Sequence, residues 1–158
     1  METQIQSGQK ITPFLWFNGR VEEAVDFYIS IFNNSKIISL HRFGSEEKVI
    51  SATFQLEGQP FMALDGGPHY SFTPAISFFV NCSTQEEVDE LWDKLSEGGE
   101  IQQCGWLKDK FGVSWQIIPT TLGKLMSDPD PVKSQRVVQA MLKMKKIVIA
   151  QLEEAYRG

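Results

Sequence analysis

The sequence predicts an α+β protein in which two βαβββ modules form a curved mixed sheet around a cavity, followed by a C-terminal helical tail. Three observations support this fold class: an internal repeat, an amphipathic helix in each copy of the repeat, and short β-forming runs after each helix.

The repeat joins two segments in the first two thirds of the chain. "TPFLWFNGRVEEAVDFY" occupies residues 12–28, and "TPAISFFVNCSTQEEVDELW" occupies residues 73–92. Both begin with Thr-Pro, continue through an aromatic strand to Asn, and enter a helix through Glu-Glu. A chance resemblance within an α+β protein is the alternative, but residue type, order and turn positions agree together.

Each predicted helix has one apolar stripe at helical spacing. The stripe of the first helix consists of Val21, Ala24, Val25, Tyr28 and Phe32, and that of the second consists of Val88, Leu91, Trp92 and Leu95. Thr84 and Glu87 have the spacing of a capping box at the start of the second helix. We interpret the aromatic residues of both stripes as core residues.

Three runs rich in β-forming residues follow the first helix: "SKIISLHRF", "KVISATFQL" and "QPFMALD". Gly44 and Gly58 separate them, and Gly66-Gly67 ends the module. After the second helix, Gly98-Gly99 predicts a stop, and "EIQQCGWL" and "VSWQIIP" predict the remaining strands. The predicted parts are an extension (1–10), two modules (11–67 and 68–120) and the tail (121–158), all in one domain.

The tail has no counterpart in the first half. Asp130 and Pro131 have the character of a helix cap and first turn. An apolar stripe follows, comprising Val137, Val138, Met141, Leu142 and Met144, and the later apolar residues from Ile147 to Tyr156 continue this helix or begin another. Such an apolar helix must cover either its own chain or a partner. The lysines at 143, 145 and 146 are interpreted as a solvated helix face.

Composition excludes several functions. The chain has 158 residues and a net charge of −5, which is unfavourable for general nucleic-acid binding. Its two cysteines, Cys82 and Cys104, form no zinc motif and are compatible with a reducing compartment. The N-terminus lacks the apolar core of a signal peptide, and no apolar run is long enough to span a membrane. We therefore expect a cytoplasmic protein.

The chain resembles the vicinal-oxygen-chelate superfamily, which has the glyoxalase and bleomycin-resistance fold. The resemblance is carried by the two modules and by the segments "FNGRVEEAVDFY" and "WLKDKFGVSWQIIP". More narrowly, the chain resembles the PhnB-like branch, often labelled 3-demethylubiquinone-9 3-methyltransferase. The resemblance covers roughly residues 10–120, and the tail is also similar to that branch.

Metal-dependent members of the superfamily hold a divalent ion with four side chains from the first and last strands of the two modules. The resemblance places these positions near Thr12, Met62, Ala75 and Gln116. Alanine cannot bind a metal, and a thioether is a poor ligand for hard divalent ions. We therefore expect neither a metal nor a cofactor.

If these positions face a cavity, strand alternation places Phe14, Leu64 and Ile118 beside them. We expect a small, partly apolar or aromatic molecule to bind there, with contacts from Trp16, Met62, Ser77, Phe79, Ser114 and Gln116. Trp106 is a further candidate for stacking on a ring. The resemblance also implies a homodimer.

The alternative is a metal-independent enzyme of the same fold, such as the methyltransferase that the family label implies. The Gly pair in "LDGGPHY" (64–70) is better read as a linker than as a methyl-donor loop. His41, His69, Asp65 and Cys104 are the remaining reactive side chains, and no nucleophile–base pair is evident among them.

Overall fold

A computed structural model describes residues 9–44 and 47–158. The strands are β1 (Phe14–Phe17), β2 (Lys36–Phe43), β3 (Lys48–Leu56), β4 (Gln59–Asp65), β5 (Ser77–Cys82), β6 (Glu100–Ile101), β7 (Trp106–Lys108) and β8 (Ser114–Pro119). The helices are α1 (Val21–Ile31), α2 (Gln85–Ser96), α3 (Thr120–Met126), α4 (Pro131–Leu142) and α5 (Ile149–Arg157). The chain divides into two compact units, of which the first ends at Ser71 and the second spans Phe72–Gly158.

The first unit is the predicted βαβββ module. Its sheet has the strand order β1-β4-β3-β2, in which β1 and β4 are parallel and the other neighbours are antiparallel. Helix α1 buries the apolar stripe read from the sequence, and one face of the sheet contributes the core residues Leu15, Phe17, Phe54 and Ala63. The α+β fold class and the first module are therefore confirmed.

The second unit repeats this arrangement. Its sheet has the order β5-β8-β7-β6, again with the first and last strands of the module parallel. Thr84 caps α2 by accepting a hydrogen bond from the Glu87 N–H, and the Glu87 carboxylate accepts one from the Ser83 N–H. The predicted capping box is thus present, with the reciprocal bond displaced by one residue.

Three helices form the tail, and their apolar side chains pack within the second unit. Ile118 at the end of β8, Leu122, Val137, Met144, Ile147 and Leu152 form one buried cluster. The tail therefore covers its own chain, which was one of the two arrangements that the sequence left open. The short helix α3, which directly follows β8, was not recognised separately from the sequence.

The tail contains two long helices in place of one continuous helix. Asp130 accepts a hydrogen bond from the Val132 N–H at the start of α4, as predicted. The chain leaves helical geometry after α4, where the carbonyls of Met144 and Lys145 accept hydrogen bonds from the N–H groups of Cys104 and Gly105. Those carbonyls are bonded to the segment before β7 and do not continue the hydrogen-bond pattern of α4. The helix therefore ends there, and α5 begins at Ile149. No helix in the described part of the chain is long and apolar enough to cross a bilayer.

Candidate functional site

The most distinctive polar surface lies on the side of the second sheet opposite α2, which we call the open face. Strand register places its side chains in two rows, because directly paired residues point to the same side of a sheet. The polar row comprises Ser77, Ser114 and Lys108, and the aromatic row comprises Phe79, Gln116 and Trp106. Four predicted ligand-binding residues, Ser77, Phe79, Ser114 and Gln116, thus share one face.

Gln116 lies at the centre of this face, on β8. Its side-chain N–H donates a hydrogen bond of 3.0 Å to the hydroxyl of Ser77 on β5. Phe79, which is 54% exposed, and the half-buried Trp106 lie on either side of it in the aromatic row. The arrangement holds an amide in a defined orientation between two aromatic side chains.

Ser114 occupies the middle of the polar row. It is buried, with 1% of its surface exposed, and within the described residues its hydroxyl has no hydrogen-bond partner. A buried hydroxyl without a partner is unfavourable, since it gives up hydration and receives nothing in exchange. Such a group in an otherwise well-packed strand is a candidate ligand contact.

The open face is closed at one end. Ile118 was expected beside the pocket, but the structure places it in the buried cluster formed with the tail helices. Gly105 allows the close approach of this cluster, because a Cβ at that position would lie 2.7 Å from the Ile118 side chain. Ile118 is therefore not available to a ligand, and the exposed or half-buried side chains of the two rows are Ser77, Lys108, Phe79, Gln116 and Trp106.

The segment that precedes β8 is organised by Asp109, which is 2% exposed. One carboxylate oxygen accepts hydrogen bonds from the N–H groups of Phe111 and Val113, and the other accepts one from the Trp115 indole N–H. The "DKFGVSW" signature is thus a carboxylate-centred turn. It fixes where β8 begins and hence which side chains reach the open face.

The first unit has an open face of its own, opposite α1. One row contains Phe14, Met62, Thr53 and Ser39, and the next contains Trp16, Leu64, Ser51 and His41. Met62 and Trp16, the two predicted ligand-binding residues of this unit, therefore occupy neighbouring rows of one face.

Trp16 is held in place by its own unit. Its indole N–H donates to the Gly67 carbonyl at 2.9 Å, and its ring lies edge-on to that of Tyr70. A Cβ on Gly66 would come within 2.2 Å of the Trp16 ring, so this tryptophan requires glycine there. The Trp16 indole therefore packs against the "LDGGPHY" segment.

The reactive side chains considered from the sequence do not assemble into a catalytic set. Asp65 accepts a hydrogen bond from the Gly19 N–H and pairs with Lys48. Burial by itself raises the pKa of Asp65, but the bonds from Gly19, Lys48 and Gly67 outweigh it and lower that pKa below its ordinary value. Asp65 therefore closes the turn before α1 and is a weak base.

The remaining candidates lie elsewhere. His41 and His69 are exposed, His41 on β2 and His69 in the segment after β4. Cys104 is a free, half-buried thiol with a positive φ of 60°. Burial, with a smaller contribution from the charge of Glu87, raises the pKa of the Cys82 thiol to about 12, which makes it unreactive at neutral pH.

The donor set does not fit a divalent metal ion. In the first unit, Thr12 precedes β1 and Met62 offers only a thioether; in the second, Ala75 has no donor and the Gln116 amide is bonded to Ser77. Over residues 9–44 and 47–158, no group of three or more His, Cys, Asp or Glu side chains is placed to hold a metal.

Lys108 is the residue of the open face that the sequence did not suggest. It is paired with Ser114 through the β7–β8 hairpin. The length of the turn between these strands determines that pairing, and a carboxylate buried within the turn has no clear signature in the sequence. Strand alternation on β8 alone gives no information about which β7 residue lies beside Ser114.

Comparison with known proteins identifies the family. Residues 9–118 match the family model described as 3-demethylubiquinone-9 3-methyltransferase. Among solved structures, the PhnB protein of Bacillus cereus is 44% identical, with a TM-score of 0.67 over 70% of this chain and 99% of that chain. The search of curated proteins finds no match.

Two further solved structures show the same fold at lower identity. Protein PA1353 of Pseudomonas aeruginosa is 22% identical, with a TM-score of 0.60 over 71% of this chain and 98% of that chain. The fosfomycin resistance protein FosX of Listeria monocytogenes, solved with Mn(II) and sulfate, is 17% identical, with a TM-score of 0.53 over 70% of this chain and 90% of that chain.

Proposed function

We propose that this chain, which belongs to the 3-demethylubiquinone-9 3-methyltransferase family, the PhnB-like branch of the vicinal-oxygen-chelate superfamily, binds a small, partly aromatic molecule without a metal ion. The Gln116–Ser77 hydrogen bond between Phe79 and Trp106 is the observation that supports this function most directly. An oriented amide flanked by aromatic rings is the composition expected of a site for a flat molecule.

A metal-independent enzyme, such as the methyltransferase of the family label, is the second candidate. Two features favour binding over catalysis. In the first unit, the Trp16 ring lies against Gly66 and its indole N–H donates to the Gly67 carbonyl, so this glycine pair contacts a side chain of its own unit where a methyl-donor loop would contact its ligand. The Asp65 carboxylate, which ends β4, is stabilised in its charged form and is a poor proton acceptor.

Trp16 and Met62 are proposed ligand contacts on the open face of the first unit. Trp16, fixed by Gly66 and Gly67, would act as a rigid wall, and Met62 as an adaptable apolar contact. Replacing Met62 with Ala should weaken binding at this face of the first unit, because it removes an apolar contact from a half-buried position.

We also propose a cytoplasmic homodimer. The tail no longer requires a partner, since its apolar side chains pack in their own unit. Support comes from exposed apolar residues that precede the edge strands: Ile11, before β1, is 86% exposed, and Ile76, before β5, is 75% exposed. Sedimentation at micromolar concentration should give twice the chain mass of 17.9 kDa; a monomer would contradict the proposal.

The binding function is tested by thermal-shift screening with aromatic metabolites, followed by calorimetry on the compounds that raise the melting temperature. Gln116→Ala and Ser77→Ala should each weaken binding about five- to tenfold, the effect expected of one hydrogen bond. Gln139→Ala, on the exposed side of α4, is the matched control and should have no effect.

Two outcomes would overturn this proposal. Turnover of a compound in the presence of S-adenosylmethionine would support the methyltransferase in its place. Equal affinity of wild type and both open-face variants for every compound that binds would place the site elsewhere.

A further inference from the structure

Lys108 differs from the other half-buried lysines of the second unit. Lys146 pairs with Asp89, and Lys110 and Lys133 lie over the rings of Phe111 and Tyr156. Within the part of the chain that the structure describes, Lys108 has no ion pair and no ring contact. Its cross-strand neighbours are Ser114 on one side and the exposed Glu100 on the other.

The polar row presents a cation and two hydroxyl groups that can donate hydrogen bonds. The Ser77 hydroxyl accepts the proton of Gln116, so its own proton is available to a third group. The Ser114 hydroxyl has no partner in the described residues, and the Lys108 ammonium supplies only donors. Three adjacent strands thus bring Ser77, Ser114 and Lys108 side by side, with their backbones about 5 Å apart from strand to strand.

The two hydroxyls and the ammonium of the polar row are suited to bind an oxyanion. A carboxylate or phosphoryl group accepts two or more hydrogen bonds, and bonds to a charged acceptor are about twice as strong as neutral ones. A neutral substituent such as an amide can also accept hydrogen bonds, but it lacks the charge that strengthens them and that attracts the Lys108 ammonium. The unpartnered Ser114 hydroxyl is the group whose burial such a ligand would compensate.

The two rows also define the length of the ligand. Consecutive residues on one face of a strand are about 6.6 Å apart, so the polar row lies that far from the aromatic row. A ring between Phe79 and Trp106 would therefore place an acidic group on the polar row if one or two atoms join them.

We propose that the ligand of the open face is an aryl acid, an inference that rests on the proposed function. Its ring packs in the aromatic row, and its carboxylate or phosphoryl group is bound by Lys108, Ser114 and Ser77. The net charge of the chain is −5, but the charged residues that the strand register places on this row are Lys108 and the exposed Glu100.

The test compares phenylacetate with phenylacetamide, which has the same shape and no charge, by calorimetry at low and high salt. Wild type should bind phenylacetate at least tenfold more tightly, and the preference should shrink as salt screens the ion pair. Lys108→Met, which keeps the apolar stem, should abolish the preference. Lys94→Met removes the same charge from α2, on the other side of the sheet, and should retain it.

Further variants and a second acid sharpen the result. Ser114→Ala should weaken phenylacetate binding about tenfold and leave phenylacetamide unchanged, and Glu100→Gln should strengthen phenylacetate binding by removing a neighbouring negative charge. Phenyl phosphate in the same assay distinguishes a phosphoryl ligand from a carboxylate.

The failures of the two proposals can be told apart. If phenylacetamide binds as tightly as both acids, with affinity lost in Gln116→Ala, the acid proposal is wrong and the aromatic site stands. If neither acid nor amide binds, while the melting temperature shows a folded protein, the acid proposal is wrong, and the thermal-shift screen with the Gln116→Ala and Ser77→Ala variants decides the aromatic site separately.

Discussion

The carboxylate of Asp109 accepts a hydrogen bond of 2.9 Å from the indole N–H of Trp115, and both residues are buried. The same carboxylate accepts two backbone N–H groups of the intervening turn. One acidic side chain thereby connects the turn to the first residues of β8. Because Trp115 points to the α2 side of the sheet, its neighbours Ser114 and Gln116 must point to the open face.

Removing this carboxylate should destabilise the second unit. Asp109→Ala leaves three donors without their acceptor, and we expect the free energy of unfolding to fall by about 3 kcal/mol. Chemical denaturation of the folded variant provides the measurement. Asp93→Ala, at an exposed position of α2, is the control and should change stability by less than about 0.5 kcal/mol. Equal stability of the two variants would show that the Asp109 bonds contribute nothing.

Ser114 should limit stability in the absence of ligand. Ser114→Ala removes a buried hydroxyl that lacks a partner, so we expect the free energy of unfolding to rise by about 1 kcal/mol. Ser77→Ala removes a hydroxyl that accepts a hydrogen bond and should lower it. Urea unfolding of both variants decides the point; a loss of stability in Ser114→Ala would mean that the hydroxyl is already paired in the free protein.

Gly66→Ala should strain the first unit. Its Cβ would come within 2.2 Å of the Trp16 ring, so the indole or the backbone must move, at a cost of about 1–3 kcal/mol. Gly123→Ala, on α3 with open space around it, should instead stabilise the protein by about 0.5–1 kcal/mol. The opposite signs of the two changes can be measured by thermal unfolding.

The stability contributed by Asp65 should depend on pH. Its pKa is lowered in the folded protein, so the contribution is complete well above the ordinary value of 3.8 and disappears as pH falls through the lower folded pKa. Asp65→Asn should therefore be less stable than wild type at pH 7, by about 1 kcal/mol, and the two should converge below pH 3.8. A difference that stays constant across this range would exclude the carboxylate charge as its cause.

Local sequence patterns were sufficient for the modules. The two apolar stripes, the Thr84 cap, the Asp130 cap and the βαβββ succession of elements all appear in the structure as predicted, because each depends on residues a few positions apart. For the assignment of Ser77, Phe79, Ser114 and Gln116 to one face, the resemblance to the superfamily supplied the starting positions on the two strands, and the two-residue period of a strand supplied the rest.

The neighbours of the open-face side chains depend on contacts between segments that are distant in the sequence. The tail helices bury Ile118, so it does not remain on the open face, and the β7–β8 hairpin places Lys108 beside Ser114. The segment "DKFG" lies between the predicted strands "EIQQCGWL" and "VSWQIIP", but its sequence does not show that Asp109 is buried and bonded to Trp115. Periodicity specifies which way a side chain points, whereas its neighbours depend on strand register and on helix packing, which only the folded chain establishes.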